Sequence, residues 1–277
     1  MKKIIVVLFV LLPYFAFSQS VEGYKLVWGD EFNIDGLLDT AKWRFEQGFV
    51  RNREPQWYQA DNAYCKDGVL RIIARKEKVK NPDYEQGSKD WKKSTEYAEF
   101  TSSSVHTKGA HSWKYGRFEV CARIPVGAGA WPAIWFVGVE KDWPYKGEID
   151  VMEFYGTDKG PSILANTAWG GERRGGAKWN TQIYPFTQFV EKDKDWAAKF
   201  HVWRMDWTED YIRIYLDDEL LNETDLSKTF NPDGFNPFRQ PQQILLNLAL
   251  RSKDSDFPDS LFPMVCEIDY VRIYQKE

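Results

Sequence analysis

Three carboxylates crowd one short stretch of this chain: Gly147-Glu148-Ile149-Asp150-Val151-Met152-Glu153-Phe154-Tyr155-Gly156. The acids stand among apolar, β-prone residues bounded by glycines, which is the pattern of a buried strand. Side chains alternate faces along a strand, so Glu148 and Asp150 point the same way, while Glu153, five positions beyond Glu148, would point the other way. One extra residue at Val151-Met152, a β-bulge, would return Glu153 to the face of the other two.

Three carboxylates brought together on one buried face repel each other, and at least one of them is driven to hold its proton. An ionised carboxylate beside a protonated one is the pair that hydrolyses a glycosidic bond, one as nucleophile and the other as general acid. Two other readings fit the same residues: an edge strand whose acids are simply solvated, and a metal site built from three acids. A non-catalytic glycan-binding protein would not need all three.

Other residues fit a sugar cleft. Aromatic residues make up 16% of the chain, thirteen of them tryptophan, more than a core of this size requires. Flat ring faces suit the CH faces of sugars. Trp131 and Trp135, in Trp131-Pro132-Ala133-Ile134-Trp135, are four apart and share a face of a regular strand. They read either as a sugar-stacking platform beside the acids or as packing between sheets. Asn247, inside the apolar run 245–250, is a costly buried amide unless it lines a cleft. A formal charge of −4 argues against nucleic acid as a partner. The histidines His106, His111 and His201 form no metal-ligand spacing with one another or with a cysteine. Cys65, Cys121 and Cys266 allow one disulfide and a free thiol, or three buried thiols.

The elements that must position these residues are short strands. Residues 25–28, 69–74, 116–124, 211–216, 244–250 and 266–274 read as strands, with a tight hairpin turn at Asp217-Asp218. A single short helix is expected around 195–200. Residues 76–99 and 170–195 read as long loops, of a length that commonly walls a functional site. Many short strands mean an all-β sandwich or barrel. No linker or repeat divides the chain, so residues 19–277 are expected to form one domain. Met1-Lys2-Lys3 and the apolar run 4–17 read as a secretory signal peptide, residues 1–18, too short to span a bilayer. Nothing later is apolar enough to be a transmembrane helix, and the mature chain is expected to be exported, to a periplasm or beyond.

The acidic hexapeptide resembles the bulged active-site strand of glycoside hydrolase family 16. Further segments resemble that family's in its order: 52–58 (Asn-Arg-Glu-Pro-Gln-Trp-Tyr), 67–70, 114–119, 131–135, 201–203 and 267–274. They span essentially the whole mature chain and are most similar to the laminarinase-type branch. The resemblance implies a β-jelly roll of two curved antiparallel sheets with a concave substrate groove. It also implies a secreted, monomeric, retaining endo-β-glycosidase that needs no cofactor and acts on a polysaccharide or oligosaccharide, a β-1,3- or mixed β-1,3/1,4-glucan. Glu148 would be the nucleophile, Glu153 the acid/base and Asp150 their assistant. Asn52 and Glu54 match a segment that lines the non-reducing side of the groove. Asp269 matches a position that serves a structural calcium ion in the family. Two departures alter the groove wall. Ala168 stands where laminarinase-type members carry a histidine, before the aromatic Trp169, itself a candidate for substrate contact. Leu250-Arg251-Ser252 replaces a usual Gly-Gly. They keep open an endo-acting hydrolase of β-galactose-containing glycans (galactan, agar-type or mucin O-glycan); a sugar acceptor in place of water would make the enzyme a transglycosylase.

Overall fold

A computed structural model describes residues 21–251 and 257–277; the expected signal peptide lies outside them. In chain order the first strands are β1 (Tyr24–Asp30), β2 (Arg44–Phe45), β3 (Gln56–Tyr58), β4 (Ala63–Lys66), β5 (Val69–Ala74) and β6 (Val79–Lys80). Next come β7 (Tyr97–Ala98), β8 (Phe100–Ser102), β9 (Ser104–His106), β10 (Gly116–Arg123), β11 (Ala130–Gly138) and β12 (Glu148–Thr157). Then follow β13 (Gly160–Gly170), β14 (Ala177–Pro185), helix α1 (Thr187–Lys192), β15 (His201–Trp207), β16 (Tyr211–Leu216), β17 (Glu219–Asp225), β18 (Gln242–Leu250) and β19 (Met264–Lys276).

Two antiparallel sheets dominate. One runs β17-β16-β15-β10-β19-β5-β4, with β1 added to β19; the other runs β14-β13-β12-β11-β18-β9-β2. The expected jelly-roll sandwich is therefore present. Strand periodicity explains why it forms. Along β15 every second residue is buried, putting Trp203, Met205 and Trp207 into the core and half-exposed residues on the far side. Every residue of β18 is buried. Ile244, Leu246, Leu248 and Leu250 enter the core, while Gln243, Leu245, Asn247 and Ala249 line a groove. Phe118 of β10 meets Phe136 of β11 edge to face, ring centroids 5.2 Å apart, which ties the two sheets together.

The six strands expected from sequence all form, as β1, β5, β10, β16, β18 and β19. The turn at Asp217 and Asp218 has φ of 46° and 69°, the left-handed pair that closes a two-residue hairpin between β16 and β17. Two expectations need correction. Residues 170–195 are not a loop: β14 pairs with β13 over nine positions, from Ser162–Pro185 to Gly170–Ala177, and α1 follows. Polar Lys178, Asn180 and Gln182 hid the strand, because an edge strand with a solvated face shows little apolar alternation. Within 76–99, a two-residue pairing of β6 with β7 closes the loop at its base. The helical turn near 195–200 is a 3₁₀ turn at Trp196–Ala198, with the His201 ring stacked on Trp196. All three cysteines are free and buried.

Candidate active site

Strand β12 carries the expected bulge. Asp150 pairs with Trp135 and Glu153 with Ala133 on β11; on β13 their partners are Asn166 and Leu164. Val151 and Met152 thus face a single residue on each neighbour, Ile134 on one side and Ala165 on the other. Both turn into the core, at 2% and 0% exposure, and alternation resumes one step later. Glu148, Asp150 and Glu153 accordingly all line one groove of about 970 Å³ across the seven-stranded sheet.

Each acid is held by named donors. Trp143 Nε1 donates to Glu148 Oε2 at 3.1 Å, and Trp131 Nε1 donates to Glu153 Oε1 at 2.9 Å. Asn166 Nδ2 bridges the other two, 2.8 Å from Glu153 Oε2 and 3.1 Å from Asp150 Oδ2. Burial, then the charge of Glu153, pushes Glu148 up to about 7, against the pull of Trp143, Arg51 and Lys146. Burial likewise pushes Glu153 up to about 7, opposed by its bonds from Trp131 and Asn166. Cations therefore act on Glu148, whereas the one charged neighbour acting on Glu153, Glu54, raises it further. Asp150, 3% exposed between two acids, is driven well above the usual carboxylate range by burial and by both neighbours. The three cannot all ionise together near neutrality.

The groove floor beside them is one polar network. Trp135 Nε1 donates to Asn247 Oδ1 at 2.7 Å, Asn247 Nδ2 reaches Tyr58 Oη at 3.3 Å, and Tyr58 donates to Glu54 Oε2 at 3.2 Å. Glu54 also accepts from Asn52 and Gln56, which satisfies a carboxylate that burial pushes up. Asn52 and Arg53 sit at φ of 54° and 53°, a left-handed turn that presents this segment to the groove. The Arg51 guanidinium pairs with Glu46 and lies 5.0 Å from the Trp135 ring centroid, so one face of that ring is covered by a cation.

Of the residues singled out in the sequence, Glu148, Asp150, Glu153, Trp131, Trp135, Asn52, Glu54 and Asn247 all line the groove. Trp169 does not. It follows Ala168, the groove-side neighbour of Glu148, and so turns to the opposite face, where it packs against Phe238 and the core. Asp269 lies outside the groove lining. The carboxylate acting on it is Glu31, which Arg272 grips with two bonds of 2.8 and 2.7 Å, and its own hydrogen-bond partner is the Cys121 thiol. Among the described residues no group of three His, Cys, Asp or Glu side chains could hold a metal.

Sequence reading missed Asn166, Arg51, Trp143 and Tyr155, all in the groove; Trp179 was noted only as part of the 170–195 segment expected to wall it. Asn166 carries the same signal as Asn247, an amide inside a buried strand. Trp179 could not be assigned a face without β14, on which it faces Ala168 and stands 47% exposed.

Comparison with known proteins agrees with this geometry. A family model described as Glycosyl hydrolases family 16 matches residues 56–271. A β-glucanase of Rhodothermus marinus is 31% identical over 93% of this chain and 87% of its own length. A solved structure from work on endo-acting O-glycanases of the human gut microbiota that initiate mucin breakdown superimposes with a TM-score of 0.80. It is 31% identical and 92% of each chain is covered. The catalytic domain of an endo-1,3-β-glucanase (laminarinase) from Thermotoga petrophila gives 0.74 at 31% identity, covering 93% of this chain and all of the other.

Proposed function

The chain belongs to glycosyl hydrolases family 16, and from that premise we propose that it is an exported retaining endo-β-glycanase with Glu148 as nucleophile and Glu153 as acid/base. The observation that carries the reading is the bulge at Val151-Met152, which sets three carboxylates on the floor of one groove. Charge environment supports the division of roles. Arg51 and Lys146 favour the ionised form of Glu148, as a nucleophile needs. Glu153 has no such cation and an acid nearby, which keeps a proton to donate.

In the first step Glu148 attacks the anomeric carbon while Glu153 passes its proton to the departing glycosidic oxygen. The bond to the leaving sugar breaks as the glycosyl–Glu148 ester forms. Glu153, now ionised, takes a proton from the incoming water, whose oxygen displaces Glu148 with a second inversion, hence net retention. A sugar hydroxyl in place of that water gives transglycosylation. Protonated Asp150 holds its place beside Glu148 and adds no second negative charge as Glu148 cycles. Family members act without a cofactor. Among the described residues no helix is long and apolar enough to cross a membrane.

For the substrate, the likeness to the β-glucanase and the laminarinase supports a β-1,3- or mixed β-1,3/1,4-glucan. A second reading, a β-galactose-containing chain such as a mucin O-glycan, is favoured by the changed walls and by the 0.80 superposition on the O-glycanase structure. Ala168, with its small side chain, stands between Glu148 and Trp179, and Arg251 lies 5.0 Å from the Tyr155 ring centroid. Reducing-sugar release from β-glucans, β-galactans and mucin glycans, with chromatography of the products, decides between them. Internal cleavage of one class supports that reading. Silence on every glycan would overturn the hydrolase assignment.

A further inference from the structure

The flank of the groove on the Glu148 side is lined by donors and cations. Lys108, Lys146, His106 and Arg51 all face the same space. Their backbones are fixed. Lys146 N donates to Asp142 O at 3.0 Å and Lys146 O accepts from Gln240 Nε2 at 2.9 Å. Gly147 follows at φ of 75°, where a Cβ would meet Pro237 at 2.8 Å, so this turn beside Lys146 calls for glycine. Across the groove, Thr107 N donates to Ile244 O at 3.1 Å, and Lys108 N donates to His106 Nδ1 at 3.1 Å. That bond leaves the ring proton of neutral His106 on Nε2, a donor. Burial, then Lys108, Arg51 and Arg44, keep the ring below its usual value and hence neutral, against the pull of Glu46.

Asp142 and Glu148 both pull on Lys146, but among the described residues neither forms an ion pair with it. Glu46 is taken by Arg51 and by Ser104 Oγ at 2.6 Å. Neighbouring Lys141 is paired with Asp233, but among the described residues neither Lys108 nor Lys146 is in an ion pair. The two ammoniums oppose each other: after burial, Lys108 is the largest influence holding Lys146 below its usual value. Like charges left facing one another across a partly desolvated groove favour an anion between them. A neutral sugar, offering hydroxyls that both donate and accept, makes no use of that charge.

We propose that this flank binds an acidic substituent, a sulfate ester or a carboxylate, on the glycan that the groove cleaves. The inference rests on the hydrolase reading and specifies its substrate as an anionic form of the chain, with Lys108 and Lys146 as specificity-determining residues.

The test compares kcat/KM on three forms of the neutral polysaccharide that the panel shows to be cut: unmodified, chemically sulfated, and oxidised at C6 to a carboxylate. The readout is the ratio of anionic to neutral substrate within each protein, so a general loss of activity cancels. Wild type is expected to prefer at least one anionic form, with a ratio that falls as salt screens the lysines. In the double variant Lys108→Gln, Lys146→Gln that ratio should fall by at least about fivefold, the sum of two partly exposed charge contacts. Preference for the sulfated form alone, or for the carboxylated form as well, identifies the substituent. A wild-type ratio at or below one, or a ratio unchanged in the double variant, overturns the inference while leaving hydrolysis intact. If no glycan turns over, affinity of Glu148→Gln for sulfated and neutral oligosaccharides of each backbone, read by calorimetry, decides it separately: equal affinities overturn it.

Discussion

Glu148 sits where two requirements conflict, since burial raises its pKa to about 7 while catalysis requires it ionised. Glu148→Gln keeps the size and can still accept from Trp143, but it removes the nucleophile. Turnover should fall by roughly three orders of magnitude or more, with substrate binding retained. The same variant should be more stable than wild type at high pH. A buried carboxylate with a raised folded pKa favours the native state while protonated, below its unfolded value near 4.5. That contribution is lost as pH rises through about 7, so the gap in Tm between Gln and Glu should open over this window and close toward about pH 4. Thermal melts across pH check it, and a variant uniformly less stable would contradict the burial argument. Glu153→Ala lacks the acid, so it should regain turnover with azide on a substrate whose leaving group needs no proton. Attack from the vacated face gives the β-glycosyl azide. An α-azide would show that the two roles are reversed. These carboxylates were legible because three acids in an apolar strand have few bland explanations. Trp169 misled for the opposite reason, because an aromatic next to a groove residue lies on the other face of its strand, and only register shows which.

The bulge in β12 is an element with a count that can be altered. Two residues, Val151 and Met152, oppose Ile134 on one neighbour and Ala165 on the other, so deleting Met152 restores one-to-one pairing on both ladders together. Glu148, Asp150 and Glu153 would then share a face by simple alternation. The deletion removes a fully buried side chain, at a cost of about 3 kcal/mol, so Tm should drop by several degrees while hydrolysis with retained stereochemistry persists. A folded but inactive deletion variant would mean that the bulge does more than aim Glu153. The need for a bulge was readable from the spacing alone, since five positions between two acids cannot put both on one face of a regular strand. Strand β14 was not readable, because its residues are mostly polar and its partner is remote in sequence only by a glycine-rich turn that itself looks like loop. With β14 went Trp179, although a loop in that place was expected to wall the groove and the segment does so.

Across the whole molecule, the aromatic excess divides between two uses. Trp43, Trp203 and Trp207 are fully buried, while Trp131, Trp135, Trp143 and Trp179 line the groove. Composition told that there were more rings than a core needs, but only the pairing of β11, β12, β13 and β14 decided which rings face the substrate. The two sheets serve different ends: one closes the core, and the other spreads its far face into a groove whose charge is acidic at the centre and basic along one flank. Retention by double displacement requires that a covalent bond form between substrate and one particular carboxylate on that floor. The direct measurement is mass spectrometry of the intact protein, then of its peptides, after reaction with an activated 2-deoxy-2-fluoro oligosaccharide of the glycan it cleaves. The fluorine slows breakdown of the intermediate more than its formation. The account predicts one added glycosyl group, on Glu148; a label on Glu153, or rapid turnover with inverted product and no label at all, would contradict it.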